Sequence, residues 1–174
     1  NQTCVPECNC CFRNNNSCPL AREAPFIPVQ KEDCQSIANV LIGLNVYNSK
    51  KVAEDSAYSG VKEFIETYSC DPADDSTHFE CVAENDTVRI THLTLDGQEF
   101  SGSLSTFVEK LESMRYFRLE NLNLSNVEIP PLPNSINRLH LASLNDLNRK
   151  IPPLHEGLQV VRFSRGKFHG SLTS

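Results

Sequence analysis

The feature that most constrains this chain is a phrase it writes twice. "IPPLPNSINRLHL" fills residues 129–141 and "IPPLHEGLQVVRF" fills residues 151–163, offset by 22 residues with a Pro-Pro-Leu core in common. The phrase belongs to a longer series. Ile90-x-x-Leu93-x-Leu95, Met114-x-x-Phe117-x-Leu119, Ile136-x-x-Leu139-x-Leu141 and Leu158-x-x-Val161-x-Phe163 align with offsets of 24, 22 and 22 residues. Phe100, Leu124, Leu147 and Phe168 keep step with them, as do Leu104, Ile129, Ile151 and Leu172. Self-similarity at this period marks a solenoid, because one turn cannot bury its apolar edge alone and must stack on its neighbours. Each apolar-x-apolar pair reads as a short strand, with Leu93 and Leu95 pointing inward and the residues between them outward. Pro130-Pro131 and Pro152-Pro153 suit an extended return segment. "STFVEKLESM" has Phe107, Val108 and Leu111 at helical spacing, which predicts a helical turn in the first return.

Upstream of the repeats the pattern changes. In "CQSIANVLIGLNVY", Ile37, Val40, Leu41 and Leu44 fall at helical spacing, with Asp33 or Ser36 as the expected cap. In "YSGVKEFIETYSC", Tyr58, Val61, Phe64, Ile65 and Tyr68 share one face, and Lys62, Glu63 and Glu66 lie on the other. The chain therefore divides into a cysteine-rich arm (1–33), a helical cap (34–89) and about four repeats (90–174), the last incomplete. The class is an α/β solenoid with a helical N-terminal cap. The series stops at Ser174, where the fourth turn should make its return. The expectation is that the native protein continues with more repeats or a cap, or that self-association covers this end.

All eight cysteines lie in the first half: Cys4, Cys8, Cys10, Cys11, Cys18, Cys34, Cys70 and Cys81. An even count where the core must be thin reads as a disulfide framework, and Cys8-Asn9-Cys10-Cys11 lacks the paired spacing of common zinc modules. Five of them fall within residues 4–18, so at least one must pair outside that stretch, and Cys34 is the nearest candidate. Four sequons, at Asn1, Asn15, Asn85 and Asn123, point with the cysteines to the secretory pathway and an extracellular or cell-surface glycoprotein. No apolar run approaches the roughly 18–20 residues needed to span a membrane.

Residues 1–89 carry 7 Lys+Arg and 14 Asp+Glu, a net of −7, whereas residues 90–174 carry 9 and 8, a net of +1. That balance gives no footing for nucleic acid, which wants a basic face. A phosphate loop, a nucleophile elbow and a His-Glu-x-x-His zinc motif are all absent from the sequence. The five histidines are scattered, and "DPADDSTHFE" lacks the order of a calcium loop. The chain is read as a non-enzyme with no cofactor and no metal.

The repeat wording resembles extracellular leucine-rich-repeat proteins of the plant type. "ITHLTLDGQEFSGSL" has the form of their strand and turn, and residues 34–89 resemble their N-terminal cap. "IPPLP" looks more like the repeats of kinetoplastid surface antigens. The likeness covers about residues 34–174, and the arm has no match. It implies a right-handed coil and a cap disulfide between Cys70 and Cys81 that pins the second helix to the first strand. It also implies receptor, adhesion, surface-antigen or enzyme-inhibitor roles. The family's asparagine ladder is missing, since its positions hold Gln98, Leu122, Leu144 and Gly166.

The outward strand positions are the expected binding surface. The first column is His92, Tyr116, Arg138 and Val160; the central column is Thr94, Arg118, His140 and Arg162; the third is Asp96, Glu120, Ala142 and Ser164. With strands about 4.8 Å apart, the central column stacks two arginines and a histidine. Repeat proteins use such concave faces for recognition, and Arg and Tyr are enriched at binding hot spots. Tyr116, Arg118, Arg138, His140 and Arg162 are the candidate ligand-binding residues. A protein or an anionic glycan is the expected ligand, and a structural subunit of a surface coat, wall or filament is the alternative.

Overall fold

The computed structural model describes residues 27–74, 77–145 and 148–170. The described chain opens with β1 (Ile27–Pro28), α1 (Lys31–Gly43), α2 (Lys50–Glu54) and α3 (Ser59–Thr67). Next come β2 (Ser69–Cys70), β3 (Phe79–Glu84) and the long β4 (Thr87–Asp96). The remaining strands alternate between two positions of successive turns. One set is β6 (Tyr116–Glu120), β8 (Arg138–Ala142) and β10 (Val160–Ser164). The other set is β5 (Ser101–Gly102), β7 (Asn123–Leu124), β9 (Asn148–Lys150) and β11 (Lys167–His169).

The chain is a β-solenoid. Its main sheet runs β10-β8-β6-β4-β3. The parallel pairs register Leu93 with Phe117, Phe117 with Leu139, and Leu139 with Val161, which reproduces the 24-22-22 offsets of the sequence. The inward residues of the first three turns, Ile90 to Leu141, are almost fully buried, and Phe163 and Phe168 pack against them half-buried. The reason is periodic: a strand of period two sends every second residue inward, and the turn length brings like positions into line.

Each turn leaves the main sheet through a residue with positive φ: Gly97 (144°), Asn121 (57°), Ser143 (51°) and Arg165 (50°). Their amides bridge turns, with Gly97 N donating to Glu120 O, Asn121 N to Ala142 O and Ser143 N to Ser164 O. The Pro-Pro returns carry no helix, and the first return holds one 3-10 segment, Thr106–Lys110.

The helices close one end of the solenoid and share its core. Ile37, Val40, Leu41 and Leu44 of the first helical segment are fully buried, as are Tyr58, Val61 and Phe64 of the second, while Ile65 and Tyr68 are half-buried. The junction is close. A Cβ on Gly43 would collide with Ser103 O and one on Gly102 with Gly43 O, and Ser103 N donates to Gly43 O at 2.9 Å.

Three expectations need correction. Neither Asp33 nor Ser36 caps α1: the residue before the helix is Gln30, which makes no side-chain cap, and both expected caps are buried in the first turns. Asp33 instead reaches β4. Its Oδ2 accepts from Arg89 Nε at 2.8 Å and from Ile90 N at 3.0 Å, and its Oδ1 accepts from Arg89 Nη2 at 3.0 Å. Residues 79–89 belong to an antiparallel hairpin, not to a helical segment, and β3 pairs with β4 from Phe79 opposite Leu93 to Glu84 opposite Thr87, with a register shift between Glu80 and Cys81. Third, the residue in register with Phe168 is Arg149, where Leu147 was expected; Leu147 and Leu172 lie outside the described residues.

Cys70 and Cys81 form the expected disulfide, which ties β2, at the end of α3, to the hairpin strand β3. Cys34 is also disulfide-bonded, and the pairing of Cys4, Cys8, Cys10, Cys11 and Cys18 lies outside the described residues. Closing so short a loop stabilises by about 3 kcal/mol in the chain-entropy picture. The double change Cys70→Ser, Cys81→Ser is expected to lower unfolding free energy by about that much in urea, followed by circular dichroism since the chain has no Trp. An unchanged midpoint would show that the hairpin is held by its strand pairing alone.

Candidate functional site

The outward columns are set by strand register. His92, Tyr116, Arg138 and Val160 are paired across successive strands, as are Thr94, Arg118, His140 and Arg162, and then Asp96, Glu120, Ala142 and Ser164. All five candidate ligand-binding residues therefore stand on one face, Arg138 and Arg162 exposed and Tyr116, Arg118 and His140 half-buried.

The central column is less basic than its composition. Arg118 is tied to its neighbour two residues on, with Nε 3.1 Å from Glu120 Oε2 and Nη2 on the same oxygen. That hydrogen bond raises the Arg118 pKa and returns a negative charge to the face. His140 is shifted down, first by desolvation and then by the Arg118 charge, so its ring is neutral at pH 7. Arg162 has no ion-pair partner among the described residues.

A depression of about 470 Å³ lies beside this column, at the entries of the parallel strands, lined there by Arg115, Tyr116, Asn137, Arg138 and Gln159. The β3 hairpin supplies a wall through Glu80 and Val82. Thr91, Arg115, Asn137 and Gln159 repeat at the same 24-22-22 offsets as the strand residues. Strict alternation would turn this row inward. It does not, because Thr91 lies within β4 at the register shift opposite Glu80/Cys81, and in the later turns the row precedes the strand: Arg115 O accepts from both Asn137 N (2.9 Å) and Arg138 N (3.0 Å), and Asn137 O accepts from both Gln159 N (2.8 Å) and Val160 N (3.0 Å). Two successive amides on one carbonyl break the period of two. Arg115, Asn137, Gln159 and Glu80 were not among the residues the sequence singled out.

His92 joins the hairpin wall to the columns. Its ring meets Tyr116 edge to face at 4.4 Å, its Nε2 lies 3.0 Å from Thr94 Oγ1, and its Nδ1 lies 3.3 Å from Glu80 Oε1. Two influences oppose each other. Glu80 favours a protonated ring, but its side chain is 52% exposed and water screens its charge. Burial of the ring, with His78 and Arg118 close by, pushes the His92 pKa down to about 4, and this effect dominates. One neutral tautomer suits both neighbours, with Nδ1–H towards Glu80 and Nε2 towards the Thr94 hydroxyl.

The sign of the resulting pH dependence is fixed. Between pH 6.5 and about 4 the unfolded chain takes up a proton that the folded His92 ring refuses. The stability it contributes is present above pH 6.5 and is lost as pH falls towards 4. His78 and His140 are shifted in the same direction, first by desolvation. Thermal unfolding is expected at lower temperature at pH 4 than at pH 7, with a smaller drop in His92→Gln. An equal drop in that variant would exclude His92 as a source.

Among the described residues, no group of three or more His, Cys, Asp or Glu is placed to hold a metal ion, and no helix is long and apolar enough to cross a membrane. Asn85 is exposed in the hairpin turn with φ 56°, and Asn123 is exposed with its Oδ1 accepting from Asn145 Nδ2 at 2.9 Å. Asn1 and Asn15 lie outside the described residues. No family model, curated protein or solved structure matches the chain.

Proposed function

We propose that the chain is an extracellular or cell-surface recognition module of the leucine-rich-repeat kind, without catalytic activity, that holds a protein or an anionic glycan on its concave face. The observation that carries this reading is the registered array of outward side chains, in which Arg115, Arg138 and Arg162 are free of ion pairs among the described residues. Unpaired guanidinium groups on a chain of net charge −6 are well placed to meet an anionic ligand. Secretion rests on the cysteine framework and the sequons. The repeat wording "SGSL" and "IPPL", set beside the solenoid turn, supports the family.

The test is an array of neutral, carboxylated and sulfated glycans probed at neutral pH. The wild-type chain is compared with Arg118→Ala/His140→Ala/Arg162→Ala and with a convex-face control, Lys150→Ala. Selective binding of acidic glycans that the triple variant or changes at Arg115 and Arg138 weaken, and the control does not, is the expected result. Binding that survives all concave-face changes would overturn the reading. A chain that ignores every glycan leaves the protein ligand as the remaining form of it.

A further inference from the structure

Resting on the concave-face reading, we propose that the depression at the strand entries is a subsite for one acidic sugar residue. The Arg115 and Arg138 guanidinium groups would hold its carboxylate, and Asn137, Gln159 and Glu80 its hydroxyls. Four observations lead there.

The first is the cation pair. Arg115 and Arg138 sit on neighbouring turns, joined by Arg138 N donating to Arg115 O at 3.0 Å, and both are exposed. Neither has an ion-pair partner among the described residues, because Glu120 is engaged by Arg118 and Glu80 leans to His92. Two forked donors side by side match one carboxylate, which accepts bidentate hydrogen bonds.

The second is size. A depression of about 470 Å³ falls within the range of small-ligand sites, about 300–1,000 Å³. A protein interface needs a patch of about 800 Å² per partner with an apolar centre. This lining is polar apart from Val82 and the rings.

The third is Glu80 in the wall. A carboxylate there repels a polyanion but accepts hydrogen bonds from hydroxyl groups. With the amides of Asn137 and Gln159 it suits a ligand that carries one negative charge and several hydroxyls. That description fits a uronic or similar acidic sugar and disfavours a polyphosphate or a heavily sulfated chain.

The fourth is the Tyr116 ring. It lines the depression half-exposed, held edge to face by the largely buried His92 ring at 4.4 Å, and offers an amphipathic surface to the C–H side of a pyranose. Because the His92 ring is neutral, it adds no charge that would compete for the carboxylate.

The experiment is an NMR titration of the 174-residue chain at neutral pH with methyl β-D-glucuronide, methyl β-D-glucoside and glucose 6-sulfate. The glucuronide is expected to bind about ten-fold or more tightly than the glucoside, and more tightly than the sulfate. Arg115→Gln/Arg138→Gln should weaken it by about ten-fold or more, and by more than Arg118→Gln/Arg162→Gln does, whereas the control Lys150→Ala, exposed on β9, should change it by less than about three-fold. All four side chains are at least partly exposed, and circular dichroism checks that each variant folds. Equal affinity for glucuronide and glucoside, preference for the sulfate, or no binding at roughly 20 mM probe would each overturn the subsite. If only Arg118→Gln/Arg162→Gln weakens the glucuronide, the subsite is wrong and the concave-face reading stands. If neither pair matters although the glucuronide binds, both fall.

Discussion

Replacing Asp33 with Ala is expected to destabilise the chain by about 3–5 kcal/mol, the range for removing one partner of a buried ion pair. Asp33 is fully buried, and its carboxylate accepts three hydrogen bonds: two from Arg89 and one from the backbone amide of Ile90. It lies in the first turn of α1, where the helix dipole also favours a negative charge. The bond to Ile90 N lies at the start of the first repeat, so this one side chain fixes how the helical end meets the solenoid. Arg89→Ala should cost a similar amount, since it leaves a buried carboxylate with one remaining donor. The double variant should lose clearly less than the sum of the singles, because the pair acts as a unit. Additive losses in urea unfolding, or a loss under about 1 kcal/mol in Asp33→Ala, would show that the junction is held elsewhere.

Arg149→Ala is expected to cost about 3 kcal/mol. Arg149 is 1% exposed and has no carboxylate partner among the described residues. Desolvation disfavours its charged form and lowers its pKa, yet a guanidinium stays protonated at working pH. It is held by carbonyls. Nε donates to Leu144 O at 3.0 Å, and Nη2 donates to Leu124 O and Asn145 Oδ1. Asn145 Nδ2 in turn donates to Asn123 Oδ1 at 2.9 Å and Leu124 O at 3.0 Å. Removing the guanidinium takes the donor from the Leu144 carbonyl and from Asn145 Oδ1, at about 1–3 kcal/mol each, whereas the Leu124 carbonyl keeps Asn145 Nδ2, and relief of the buried charge offsets part of the loss. Arg149→Met restores packing but not the hydrogen bonds, so it should fall between the wild type and Arg149→Ala. A methionine variant as stable as the wild type would mean that the hydrogen bonds contribute nothing net.

Arg149 also shows where the sequence was legible and where it was not. The missing asparagine ladder predicted a different way of joining turns. The structure uses Asn145 with Arg149, Asn121 Nδ2 to Asp96 Oδ1 at 2.7 Å, and Asn126 between Ser103 and Leu104. Asn123 and Asn145 do stand 22 residues apart, at one position of successive turns, but that position holds Glu99 and Lys167 in the turns on either side, so the pair does not extend into a ladder that a periodic reading would find. The inward leucines were legible because strand period and turn length impose one register on all of them. The β3 hairpin was not, although "FECVAENDTVRI" alternates around an Asn-Asp turn, because the register shift between Glu80 and Cys81 interrupts the pairing. Asp33 read as a cap because an acidic residue at a helix start usually is one. Only the distant partner Arg89 distinguishes the two roles, and sequence spacing carries no sign of it.

The candidate site divides in the same way. Tyr116, Arg118, Arg138, His140 and Arg162 stand where the alternation puts them, but the Glu120 contact and the neutral His140 weaken the central column. Arg115, Asn137 and Gln159 repeat at the same offsets as the strand residues. They stand one residue before Tyr116, Arg138 and Val160 of the first outward column.

The claim that the concave face is the recognition surface is tested most directly by mapping amide shifts of the ¹⁵N-labelled chain with a glucuronate-bearing tetrasaccharide. The predicted result is a contiguous set of changes over residues 115–118, 137–140 and 159–162, with the Pro-Pro returns at 129–133 and 151–154 unmoved. Changes centred on those returns, with the strand entries silent, would contradict it.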